Sequence, residues 1–154
     1  MQDASRQFTP PSPSAGIVLG GLAAAATTGA LLAFGHRLGD AGLPFGAIGG
    51  LVFHSAATAG AGAQMLAGLL LNAAAAYVWS LVFALLVRDA GWRDWLAALA
   101  VSVAQLALSW LVAASTGNGI ATVLPLGDRL VFAAVLGGVL VLGMRFAFPR
   151  SRIL

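Results

Sequence analysis

The chain has 154 residues, of which 60% are hydrophobic and only 8% charged, with 20 glycines besides. Soluble domains average about 45–50% apolar residues, glycine included, and about 25% charged. So few charges cannot clothe a soluble globule of this length, and lipid must be the main solvent. The composition also excludes a disordered chain, a disulfide scaffold and any thiolate metal site, since cysteine is absent. The net charge of +3 comes from arginines outnumbering aspartates. It is not a nucleic-acid footprint, because no face gathers a basic patch.

Residues 1–14 read as a polar tail in which Pro10, Pro11 and Pro13 oppose a helix. The tail lacks the basic start of a secretory signal, so the apolar run after it reads as a retained anchor. Residues 15–154 then form a single transmembrane helical domain. A spanning helix needs about 20 apolar residues, and runs free of charge place spans at 16–35, 64–87, 95–116 and 129–148. The segment 43–61 contains Pro44, several glycines, His54, Ser55 and Thr58. It is expected to be a re-entrant or interfacial segment, with a fifth span turning at Gly60-Ala61-Gly62 as the alternative. The fold class is therefore an all-α integral membrane bundle of four helices, five as alternative. The uncharged stretch 118–127 is apolar enough to lie on the membrane surface or against a partner.

Orientation follows from arginine. With four spans, Arg6, Arg88, Arg93, Arg145, Arg150 and Arg152 share one side, while Arg37 and Arg129 lie on the other. The positive-inside rule puts both termini in the cytoplasm, and hence the chain in a bacterial inner membrane as a multi-pass protein. With five spans Arg6 and Arg37 exchange sides, yet the Arg88–Asp94 loop and the C-terminus stay inside. Trp92 and Trp95 flank Arg93 and Asp94 where an interfacial aromatic belt belongs.

Helices in lipid associate through close backbone contact and interhelical hydrogen bonds. Gly16, Gly20, Ala24 and Thr28 give the first span a small-residue face, and Ala133-Gly137 and Ala134-Gly138 give the last span two more rows. The expectation is that the Gly16–Thr28 face or the Ala134/Gly138 face meets another chain. The middle spans carry polar stripes: Gln64, Asn72 and Ser80 on one, Ser102, Gln105 and Ser109 on the other. Asn72 and Gln105 sit near mid-span, where they are expected to bond each other or nearby carbonyls as bundle glue. The functional alternative is a narrow polar path for a small solute or proton.

Recognisable chemistry is sparse. The spans hold no carboxylate of the kind a proton-coupled exporter keeps there, since every aspartate lies at a helix end or in the tail. His36 and His54 are weak candidates for ligating a haem or metal; their ordinary roles are an interfacial helix cap and a hydrogen-bonded loop residue. No cofactor is expected, with haem the alternative, and no Gly-rich phosphate loop or catalytic triad can be placed.

The Gly/Ala-rich first helix GIVLGGLAAAATTGALLAFGHRLG, a Pro-Phe-x-x-Ile-Gly segment and a helix ending AYVWSLVFALL resemble small, functionally uncharacterised four-helix inner-membrane proteins of bacteria with GC-rich genomes. The resemblance covers about the first 90 residues and implies neither an activity nor site residues. The expected function is a structural or accessory subunit of a larger membrane complex, its partners being lipid and other membrane subunits or copies of itself. The alternatives are a small homo-oligomeric transporter or channel using the polar stripes, and a His-ligated cofactor protein.

Overall fold

The computed structural model describes residues 13–53, 56–88 and 93–147, and these contain helix and no strand. In chain order the elements are α1 (Pro13–Arg37), α2 (Leu43–Phe53), α3 (Ala56–Arg88), α4 (Asp94–Thr116), α5 (Ile120–Val123) and α6 (Leu126–Ala147). Four of them, α1, α3, α4 and α6, are long and apolar enough to cross a bilayer. In each, only 22–33% of the most apolar stretch is buried inside the protein. The outward residues are Leu22, Leu70, Leu81, Leu111 and their like. A surface of that kind is stable against hydrocarbon, not against water.

The boundaries differ from the charge-free runs for physical reasons. α1 starts at Pro13, within the stretch assigned to the tail, because proline is tolerated in a first helical turn. α6 starts at Leu126 and runs through Asp128 and Arg129, since an acidic side chain is favourable in a first turn. Helix α3 begins at Ala56 and absorbs the expected turn at Gly60 as a kink, where Gly60 alone takes φ 72° and ψ 153°. The five-span alternative does not survive. Helix α2 has 11 residues, about 16 Å of helix against a hydrocarbon core about 30 Å thick.

Antiparallel neighbours build the bundle. α1 runs beside both α3 and α6, α4 leans on α6, and α3 touches α4 comparatively little. Ion pairs fasten α6 at both ends. Arg37 grips both oxygens of Asp128 at 2.9 and 3.1 Å, and Arg145 Nε meets Asp94 Oδ2 at 3.0 Å. The core falls into two clusters. Leu19, Ala23, Phe83, Val101, Leu136 and Leu140 pack toward the Arg145 end. Leu31, Phe34, Phe45, Ile120, Leu124 and Phe132 pack toward the Arg37 end.

The Gly-rich segment folds back along the first half of α3 instead of crossing. A Cβ on Gly49 would collide with the Gln64 carbonyl, and one on Gly68 with the Phe45 carbonyl. Glycine at both places lets the two backbones touch. The Gly119 N–H donates to the Ala47 carbonyl at 2.8 Å, joining α2 to the α4–α6 connection. That connection was expected on the membrane surface or a partner. It turns inward instead, burying Ile120 and Leu124.

Glycines at close contacts and in open space give a matched test. Gly49→Ala forces the α2–α3 backbones apart and should cost about 1–3 kcal/mol. Gly46, with nothing near its Cβ position, should accept alanine at no cost or with a gain of about 0.5–1 kcal/mol. Reversible unfolding in mixed micelles measures both, and equal effects would refute the close-contact account.

Candidate binding cavity

A cavity of about 240 Å³ lies between the two core clusters. Its wall takes residues from α1, α2, α3, α4, α5 and α6, so no part of it is local in sequence. Most of it is aliphatic or aromatic, including Ile48, Leu71, Trp79 and Phe132, and none of the lining side chains is titratable. Polar atoms reach it from Thr27, Asn72, Gln105 and Ser109.

The hydrogen bonds there can be assigned by elimination. The Thr27 hydroxyl donates to the Ala23 carbonyl at 2.8 Å, one turn back along α1. With its proton spent, Thr27 Oγ1 can only accept, so the Asn72 group facing it must be the amide N–H. Asn72 Nδ2 donates to Thr27 Oγ1 at 3.2 Å and to Thr28 Oγ1 at 3.1 Å. Both amide protons are used and α3 is bonded to α1. Asn72 Oδ1 accepts no hydrogen bond among the described residues.

Gln105 is the less satisfied of the two amides. It is only 7% exposed, and its Oε1 is fully buried without a hydrogen-bond partner among the described residues. An unmade bond on a buried polar group costs about 1–3 kcal/mol. Ser109, one helical turn further along α4, donates to the Leu106 carbonyl at 2.8 Å and keeps its acceptor lone pairs.

Of the stripe residues, then, Asn72, Gln105 and Ser109 converge on the cavity, and the amides bond neither each other nor a carbonyl. Ser80 is buried and bonds the Ala76 carbonyl of its own helix at 2.7 Å. Ser102 reaches across to the Ala133 carbonyl of α6 at 2.9 Å, gluing α4 to α6. Gln64 is half-buried beneath Gly49 and does not line the cavity. Thr27, Trp79 and Phe132 also line it and were not among the candidate site residues; the adjacent pair Thr27-Thr28, facing an Asn on another span, was the one available signal.

The small-residue rows divide similarly. Gly20 is buried against the Tyr77 ring, Ala24 packs on the core, and Thr28 accepts from Asn72. This part of the α1 face is therefore covered by the chain's own residues, while Gly16 is exposed with open space beside it. Gly137 closes on Ser102 of α4, but Ala134 and Gly138 stay exposed. His36 is exposed at the end of α1, and His54 lies outside the described residues. Among the described residues no three His, Asp or Glu side chains gather as a metal site would require.

Compared with protein-family models, curated proteins and solved structures, the chain matches none. The cavity geometry has to speak for itself.

The Asn72–threonine link invites a double-mutant cycle. Asn72→Leu should cost about 1 kcal/mol, and its coupling to Thr28→Val should be about 0.6 kcal/mol, at most about 1.7. Additive effects in an unfolding assay would mean the amide does not bridge α1 and α3.

Proposed function

We propose that this chain is a membrane-embedded carrier that binds a small uncharged molecule inside its helical bundle. The observation supporting the reading is the cavity itself: apolar walls, and two buried amides with unused hydrogen-bonding capacity. Ligand sites combine those features, mostly hydrophobic lining with a few convergent polar groups. The absence of titratable side chains from the lining argues against an ion or a proton as cargo. This favours the transporter reading of the polar stripes, narrowed to a neutral solute. The membrane we assign is a bacterial inner membrane with the C-terminus in the cytoplasm, an arrangement that keeps Arg88, Arg93 and Arg145 inside.

Chains extracted with their native lipid into nanodiscs supply the test. Mass spectrometry of the extracted small molecules should find one compound in stoichiometric amount with the wild type. Ser109→Phe, which places a ring in the cavity, should lose it. A folded wild type carrying nothing above the lipid background would overturn the reading.

One observation favours a second reading, the accessory subunit. The Ala134/Gly138 row of α6 is open beside the exposed Trp95 and Leu99 of α4, and close backbone approach is what small residues allow. On that reading Gly138→Leu should leave the fold intact and reduce the assembly size on a native gel. An unchanged size would remove the support. The haem or metal reading gains nothing from exposed His36.

A further inference from the structure

We infer that the cavity takes its ligand sideways from the bilayer, and that the ligand is a neutral ring compound with a hydroxyl donor. This rests on the carrier reading above and adds the route and the chemical class.

The route follows from which helices hold together. Helix α3 packs chiefly on α1 and α2, and α4 chiefly on α6, leaving α3 and α4 in slight contact. The cavity lies behind that seam. Ala75 of α3 and Leu108 of α4 line it, yet both are exposed on the outer surface of the bundle. Around them the outer face is Leu70, Val78, Leu111 and other apolar side chains, so what meets the seam is lipid. A molecule arriving there has already partitioned into hydrocarbon and carries no charge.

The class follows from what the buried amides lack. Asn72 Oδ1 accepts nothing and keeps accessible surface at the cavity wall, because its amide N–H groups are turned to the α1 threonines, whereas Gln105 Oε1 is fully buried and out of a ligand's reach. An accessible acceptor without a donor calls for an O–H on the ligand. The Trp79 and Phe132 side chains on the wall suit a ring, and Leu71 and Leu136 suit an alkyl substituent. Size is bounded as well. An apolar cavity of about 150 Å³ holds benzene, so this one accommodates about ten non-hydrogen atoms. An alkylphenol meets all of these conditions.

The experiment compares para-propylphenol with para-propylanisole, which has the same skeleton with the O–H methylated. Binding to the full chain in nanodiscs is measured after subtracting uptake by empty discs, with glycerol as a neutral solute that arrives from water. The phenol should bind saturably, the anisole about tenfold more weakly, and Asn72→Leu should weaken the phenol about tenfold while leaving the anisole unchanged. Ala75→Phe, a substitution on the exposed rim, should slow or abolish binding of both ring compounds without touching the amides.

Equal affinity for phenol and anisole, or no effect of Asn72→Leu, would overturn the assignment of the hydroxyl. Normal uptake by Ala75→Phe would overturn the lateral route. Glycerol binding without phenol binding would leave the carrier reading standing and remove this one. No saturable binding of any of the three, by a wild type that also carries no native compound, would remove both.

Discussion

Hydrocarbon offers a polar group no partner, so each one in this bundle must find its hydrogen bond inside the protein or go without. Asn72 meets that demand with two threonines of α1, and in doing so sets how α1 and α3 face one another. The small residues above it follow from the same pairing, since Gly20 admits the Tyr77 ring and brings the helices close enough for the amide to reach. Gln105, on α4, which touches α3 comparatively little, finds nothing. A polar layer satisfied on one side and open on the other divides the apolar core in two, and the space between the halves is the cavity.

The short helix α2 serves that arrangement in another way. Its backbone rests on α3 through Gly49 and Gly68, and its Ala47 carbonyl is tied to Gly119. With α5 it closes the bundle at the Arg37 end, and its Ile48 reaches the cavity wall. Long apolar helices alone would leave that end open to the membrane surface. A helix too short to span can plug it because the loop after α4 folds inward to meet it.

Much of this was legible in the residues. Lipid as solvent demands about 20 apolar residues per crossing, and that requirement, applied to the runs free of charge, placed the four long helices. The polar stripes also singled out Asn72 on α3 and Gln105 and Ser109 on α4. Their convergence was not legible. It depends on how far each helix is rotated about its axis, and that is decided by partners such as Tyr77 and Thr27 on other helices. Charge was a poor guide to helix ends, because Asp128 read as a stop until Arg37 was seen to pair with it. In the stretch 43–61 glycine pointed to a re-entrant or interfacial segment, or to a turn at Gly60, but not to the tight contact that Gly49 permits with an element whose position no local pattern reveals.

The placing of the two ion pairs bears on the order of assembly. Both involve α6, which reaches Asp94 of α4 at one end and Arg37 of α1 at the other. Since α6 leaves the ribosome after the other three spans of this bundle, α1, α2 and α3 can dock while synthesis continues, but α4 must wait in the lipid with Ser102 unbonded to α6. Helix α6 therefore acts as the keystone: its arrival draws α4 against the finished half, and only then does the cavity acquire its second wall. A nascent chain arrested before residue 126 would hold every threonine and amide of the polar layer, yet enclose no space between them.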